Sequence, residues 1–417
     1  MINRVKSIVN KNRVLFENFS FLSILQVSNL LIYMLIIPYI FRVLGKENYG
    51  LVVFAQTIAL YFNIIVNFGF NVTATRDISL HRGDSAKIRD VISAILSLKL
   101  FFFFISLAII SILIIFIPLL NAHPKVFYLS MLVCLSEALF PIWYFQGIEK
   151  MKYITFINVA TRVASALLIF AFVKNATDYN LVPFFWGIGT VAGALIGLYI
   201  VFKIHGNQFR WLTKLELTRC IRDNIPLFIS NVSSQIYVNA NKLIVGSFLG
   251  MKDVAIYDIA DKVVNLLKVP IFLVGQTLFP QISRDKDVRF VKKAMSFVVT
   301  FFVVVYSGLF LFSAQIIHLF SGTNNPEAIS LLRLLGLSIL PISVGLFFND
   351  LLLVPFGYLR DYAKLRSSSM VIYLASIGIL IILNQLGLFQ LAGVIILVES
   401  FVLGYSIFLC RKNKVYY

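Results

Sequence analysis

Residues 18–41 read NFSFLSILQVSNLLIYMLIIPYIF, a run with no charged side chain from Asn18 to Phe41. At 1.5 Å rise per residue such a helix is roughly 36 Å long, enough to cross a hydrocarbon core of about 30 Å. The run is too long for the core of a signal peptide and no small-residue cleavage site follows it, so it reads as a retained first membrane span. Further apolar runs begin near Tyr49, Val91, Val126, Ile154 and Leu181, and then near Asn224, Val254, Ala294, Ala328, Ser368 and Leu391. The pattern predicts an all-α membrane protein of about twelve transmembrane helices. Composition agrees: of 417 residues 59% are hydrophobic and 13% charged, with mean hydropathy +0.88, far from the usage of soluble domains. Forty Phe and eighteen Tyr suit a lipid-facing surface with aromatic rings at headgroup level.

A net charge of +18 would suggest nucleic acid in a soluble chain, but its placement gives another reading. Of the 37 Lys and Arg, 26 fall in the N-terminal tail, in alternate loops and at the C-terminus, five in the intervening loops (Arg42, Lys46, Lys125, Lys174 and Lys252), and six inside apolar runs. This is positive-inside asymmetry with both termini cytoplasmic, as in a multi-pass protein of a bacterial inner membrane. Membrane lipid is therefore the expected surroundings, and no nucleic-acid partner is expected. Cys134 and Cys410 lie in apolar runs and Cys220 in a basic loop, which argues against a disulfide framework. His81, His123, His205 and His318 have no ligand spacing, so no metal and no cofactor is expected.

Leu44-Gly-Lys-Glu-Asn-Tyr-Gly-Leu-Val-Val-Phe-Ala55 aligns without a gap to Leu249-Gly-Met-Lys-Asp-Val-Ala-Ile-Tyr-Asp-Ile-Ala260, 205 residues further on. Both copies join the first and second spans of a half on the same side of the membrane. The repeat predicts two six-helix lobes related by a pseudo-twofold axis along the membrane normal. We place them at residues 1–203 and 224–417, joined by a cytoplasmic loop, 204–223, that mixes basic and apolar residues as an interfacial helix does.

Ionisable and amide side chains inside spans are costly and must face partners, protein or water. Span eight carries Asp258, Asp261, Lys262, Asn265 and Lys268 at steps of three or four, one helix face. Span seven carries Asn231, Gln235 and Lys242, and Lys242 reaches the depth of Asp261. Asn63, Asn67 and Asn71 form a stripe on span two, and Gln26 with Asn29 one on span one. Interhelical hydrogen bonding explains isolated amides; four polar spans together suggest a wet cavity. Glu137 and Arg162 reach similar depths on consecutive helices and read as a structural ion pair. Lys99, near a cytoplasmic end, can snorkel. Lys268 has no acidic neighbour on its own face and would either line the path or snorkel. No phosphate loop, HExxH, GxSxG or long outer loop supports catalysis, so the chain is read as a transporter and not an enzyme.

Asn67-Phe-Gly-Phe-Asn-Val-Thr-Ala-Thr-Arg-Asp77, Pro141-Ile-Trp-Tyr-Phe-Gln-Gly-Ile-Glu-Lys-Met-Lys152 and the repeated Leu-Gly segments resemble the O-antigen flippases of the Wzx type. These belong to the multidrug/oligosaccharidyl-lipid/polysaccharide exporter superfamily, and the likeness runs along nearly the whole chain. The resemblance implies flipping of an undecaprenyl-diphosphate-linked oligosaccharide from the inner to the outer leaflet by alternating access, with helices one, two, seven and eight lining the path. A polysaccharide polymerase and a chain-length regulator are the further partners it suggests. On this reading Lys242, Lys262 and above all Lys268 would meet the diphosphate, with Asn231, Gln235, Asn63, Asn67, Gln26 and Asn29 beside it. No ATP-binding motif exists, so an ion gradient would drive transport, with Asp258, Asp261 and Glu399 as candidate carriers. Alternatively, the two aspartates only neutralise Lys242 and Lys262. A multidrug cation antiporter of the same superfamily would need an acidic cavity, and an O-antigen polymerase a long outer loop.

The charge asymmetry gives a first prediction. Reporter fusions after Lys150, Arg219 and Arg289 should read cytoplasmic, and those at Lys125, Lys174 and Lys252 periplasmic. A periplasmic reading at Tyr417 would break the twelve-helix arrangement.

Overall fold

The computed structural model describes residues 13–415, and the side chains of all of these except 13–16, 19, 230, 231 and 233–238. Every regular segment among the described residues is helical. Helix α1 spans Arg13–Asn67, α2 Phe70–Leu80 and α3 Ser85–Phe116; the short helices α4 Pro118–Asn121, α5 Pro124–Ser130, α6 Leu132–Leu139 and α7 Ile142–Gly147 follow. Next come α8 Met151–Phe172, α9 Leu181–Tyr199, α10 Lys214–Phe248, α11 Met251–Asp285 and α12 Val288–Ser321. The chain closes with α13 Pro326–Leu337, α14 Ile339–Phe348, α15 Leu359–Ile382 and α16 Leu388–Lys412.

Among the described residues, ten helical segments are long and apolar enough to cross a membrane. The first, Ser20–Leu80, has 61 residues, about three times what one crossing needs, and bends at Gly45 into two passes. Helix α10 has the length of a span, 35 residues, but its polar side chains keep it off the apolar count. Together these make about twelve passes, six before the non-helical connection at residues 205–213 and six after it.

The repeated Leu-Gly pair has a backbone cause. Gly45 has φ 71°, ψ 171°, and Gly250, at the start of α11, has φ 117°, ψ 174°. That region is essentially closed to residues with a Cβ. A Cβ at either position would meet nothing within 4 Å, so dihedral angle and not space demands glycine. Each half thus reverses direction through the same turn. The third pass of each half also begins alike, on a capping aspartate: Asp84 accepts from the Ala86 and Lys87 amides at 3.1 Å, and Asp287 from Arg289 at 2.8 Å and Phe290 at 3.2 Å. Each cap satisfies amides that a helix start leaves open.

Contacts divide the chain into two compact units, Met1–Val238 and Asn239–Tyr417. The border falls inside α10, beyond the expected 204–223 loop, because the first half of that helix packs with the N-terminal unit. Phe68, at φ 47°, turns its ring between Phe102 (4.7 Å) and Phe228 (4.3 Å). Thr73 donates to Asn224 Oδ1 at 2.8 Å. The Asn67–Asp77 motif is therefore a packing device, and its partner is the Pro141–Lys152 motif. Thr75 donates to Gln146 Oε1 at 3.2 Å, Trp143 is fully buried, and a Cβ on Gly147 would come within 2.6 Å of Ile78 Cγ2. Arg82 closes the contact, donating to the Gly147 carbonyl at 2.9 Å and pairing with Glu149 at 2.7 Å. That hydrogen bond holds the Glu149 carboxyl below its ordinary range.

The two turn glycines should be separable from glycines in helices. Gly45→Ala and Gly250→Ala should each cost about 1–3 kcal/mol of stability, read by denaturant unfolding in detergent. Gly308→Ala, inside α12 with open space around it, should be neutral or stabilising by up to about 1 kcal/mol. Equal losses at all three positions would refute the backbone argument.

Candidate functional site

Lys242 lies eight residues before Gly250 and Asp258 eight after it, so the turn brings both to a depth of roughly 12 Å on the paired helices α10 and α11. The structure joins them. Lys242 Nζ is 2.8 Å from Asp258 Oδ1 and 3.0 Å from Asp261 Oδ2. Lys262 Nζ, one turn along α11, is 2.6 Å from Asp258 Oδ2. The Asp258 side chain is 1% exposed, so two ammonium groups share one buried carboxylate and a second, half-buried carboxylate completes a balanced set. In a low-dielectric interior such a set holds only while each charge keeps its partner. Beside it Tyr373 donates to the buried Asn241 Oδ1 at 2.7 Å, fixing the end of α10 to α15.

Lys268 is half-buried further along the same face of α11. It is less isolated than its own helix suggests, since it lies in the field of Asp261 and of Glu399 on α16. Glu399 in turn acts on Arg366, which stands 3.7 Å from Asp350, where the Tyr362 hydroxyl also donates at 3.1 Å. Charges of both signs thus recur in the C-terminal unit on α10, α11, α15 and α16, some in direct ion pairs and Lys268 through longer-range fields. The contribution of α16 was invisible to a reading along one helix face.

In the N-terminal unit the expected Glu137–Arg162 pair does not form. Lys99 takes Glu137 instead, with Nζ 2.9 Å from Oε1 and donating also to the Glu137 carbonyl at 3.1 Å and to Asn71 Oδ1 at 2.7 Å. Asn71 closes the triangle by donating to Glu137 Oε1 at 3.0 Å. Lys99 is 0% exposed, so it does not snorkel. The cause is the broken fourth pass: α6 ends at an extended Phe140 before Pro141. Equal depth therefore says nothing about azimuth. Arg162 sits 5.9 Å from the ring centre of Tyr33.

The amide candidates divide. Asn67 Oδ1 accepts weakly from the Asn71 amide at 3.4 Å at the α1–α2 turn. Asn63 and Asn29 are half-buried, each with a buried Oδ1 that has no hydrogen-bond partner. Gln26 is exposed. Asn231 and Gln235 lie on α10, but their side chains fall outside those described. The repeat offset of 205 places Asn63 opposite Lys268 in register and Gln56 opposite Asp261. The two second spans thus carry polar groups at corresponding positions of the repeat, neutral in one half and charged in the other.

A family profile described as "Polysaccharide biosynthesis protein" matches residues 15–286. A protein of Escherichia coli (strain K12), whose name reads "Putative O-antigen transporter", is 26% identical over 97% of this chain and 99% of its own length. Among solved structures, an inward-facing multidrug resistance transporter of the MATE family and MOP superfamily superposes with TM-score 0.68 at 15% identity, covering 95% of this chain and 98% of that one. The lipid II flippase MurJ in an inward closed conformation gives TM-score 0.70 at 13% identity, over 94% and 87%.

The Lys99–Glu137 assignment is open to a double-mutant cycle. Glu137→Gln alone should cost about 3–5 kcal/mol by stranding the buried ammonium, and Lys99→Met together with Glu137→Gln should recover much of it. Glu137 and Arg162 should be additive within about 0.5 kcal/mol; strong coupling between them would restore the pair read from sequence.

Proposed function

We propose that this chain, which belongs to the polysaccharide biosynthesis protein family, is a flippase for undecaprenyl-diphosphate-linked oligosaccharide. It would carry the O-antigen repeat unit from the cytoplasmic to the periplasmic leaflet of a bacterial inner membrane by alternating access, with both termini cytoplasmic. The observation that carries this reading is the charge-balanced set on α10 and α11, Lys242 between Asp258 and Asp261 with Lys262 on Asp258. A diphosphate crossing a medium of low dielectric needs cations along its path. Lysine serves as a mobile point charge that binds phosphate and releases it.

An exchange of partners follows from this arrangement. When the diphosphate takes Lys242, Lys262 or Lys268, the carboxylates of Asp258, Asp261 and Glu399 lose their counter-charges and gain affinity for a proton or a metal cation. Ion coupling would thereby be built into substrate binding, with those three carboxylates as the carriers. Asn63, Asn67, Asn29, Gln26, Asn231 and Gln235 would offer hydrogen bonds to the sugars. Supporting the reading, the E. coli relative that matches almost end to end is named for O-antigen transport. A cation antiporter would need carboxylates without resident cations, whereas Asp258 and Asp261 each hold a lysine. A polysaccharide polymerase and a chain-length regulator would act on the unit after release.

Lys268 is the test, because it feels the fields of Asp261 and Glu399 while Lys242 and Lys262 are held in direct ion pairs. Lys268→Gln should reduce surface polysaccharide at least about tenfold, equivalent to roughly 1.4 kcal/mol, at equal protein level. Lys268→Arg, which keeps the charge, should export better. Wild-type export by the Gln variant at equal expression would remove Lys268 from the path.

A further inference from the structure

The loss of Glu137 to Lys99 leaves Arg162 without a carboxylate, and its position makes that consequential. Arg162 is eleven residues beyond the first residue of the 22-residue α8, about 17 Å along the axis and near the middle of a span. It points inward. Thr155, Ala166 and Ile169, which share its face at steps of four and seven, are buried, while Phe156, Val163 and Leu167 on the opposite face are exposed apolar residues suited to lipid. Amid that buried face Arg162 keeps intermediate exposure, so part of its side chain stays open although its Nε is buried.

An arginine keeps its charge at every accessible pH, and an inward, mid-span position does not let it snorkel to headgroups. Among the described residues no carboxylate lies within ion-pair distance of it, and its Nε is buried without a hydrogen-bond partner. It stands 5.9 Å from the ring centre of Tyr33 on α1, which packs at 5.5 Å against Trp186 on α9. A cation over an aromatic face gains less than it loses on leaving water. Tyr33 is 39% exposed, and no hydrogen bond engages its hydroxyl among the described residues. A permanently cationic side chain and a phenol ring thus stand beside each other where α1, α8 and α9 meet.

We propose that Arg162, with Tyr33 beside it, is an oxyanion-binding position in the N-terminal unit, distinct from the lysines of α10 and α11. It takes a phosphate or carboxylate group of the translocated molecule. The planar guanidinium matches either group bidentately, which an ammonium does not. The inference rests on the flippase reading for the source of the anion: the phosphates of the lipid linkage or the carboxylate of an acidic sugar.

The test begins with the unmodified full chain in detergent. Arginine modification by phenylglyoxal is followed at Arg162 by peptide mass spectrometry, with exposed Arg284 as the internal control. Saturating farnesyl diphosphate or inorganic pyrophosphate should slow modification at Arg162 at least about fivefold and leave Arg284 unchanged. Protection by glucuronate in their place assigns the sugar carboxylate; protection by none of the three overturns the proposal. In cells, Arg162→Gln at equal expression should lower surface polysaccharide at least about tenfold and Arg162→Lys less, and wild-type export by the Gln variant would also overturn it. A Gln variant that fails to accumulate leaves the labelling result decisive. The two readings fail separately. If deleting the gene leaves export intact while Arg162 is still protected, the anion site stands and the flippase reading falls. If export needs the gene but Arg162 is neither protected nor required, the anion site falls alone.

Discussion

A charged group held away from water must be paired, and this constraint orders the interior of both units. In the N-terminal unit a fully buried lysine, Lys99, is held by the Glu137 carboxylate and the Asn71 amide, tying α2, α3 and α6 at one point. In the C-terminal unit Asp258 plays the inverse part, a buried carboxylate held by Lys242 and Lys262. Both are expensive to build and more expensive to break halfway, since removing one partner strands the other. The difference lies in how far each set extends. The Lys99 set is closed on itself, whereas the Asp258 set continues through Asp261, Lys268 and Glu399 toward Arg366 and Asp350. A closed set serves as a rivet; an extended set of alternating sign can re-pair.

The backbone supplies the frame in which those charges meet. Gly45 and Gly250 adopt dihedral angles essentially closed to other residues, and each reverses the chain between the first two passes of its half. The reversal at Gly250 sets Lys242 and Asp258 at one depth, so the ion pair follows from the turn. The charged set is not repeated along the second pass of the first half, because the positions in register with Asp261, Lys262 and Lys268 are Gln56, Thr57 and Asn63. One fold element, used twice, is chemically specialised in its second copy.

The two motifs that carry the family resemblance have a different task. Phe68 between Phe102 and Phe228, Thr75 on Gln146, Gly147 against Ile78 and Arg82 on Glu149 are contacts of α2 and the turns that flank it. They concern close packing and the closing of a turn, and none presents a free group to a ligand. Residues that identify the family are here mostly the ones that hold helices together, while the polar groups proposed to meet a cargo, Asn67 apart, lie outside the two motifs.

Helix number, helix type, the turn glycines and the polar faces were legible in the amino-acid order, because lipid allows few alternatives: backbone groups must bond within a helix, spans must reach a set length, and a face is defined by steps of three and four. Residues near in sequence or related through a tight turn, such as Lys242 with Asp258 and Asp261, could be brought together by counting. The partners of Glu137, Lys268 and Arg162 could not. Which way a side chain points across a bundle depends on helix rotation and on breaks such as the one at Phe140–Pro141, and these are set by the packing of many distant residues at once. Counting along a helix gives depth; only the packed bundle gives azimuth, and azimuth decided that Lys99 holds Glu137 while Arg162 faces inward, paired with no carboxylate among the described residues.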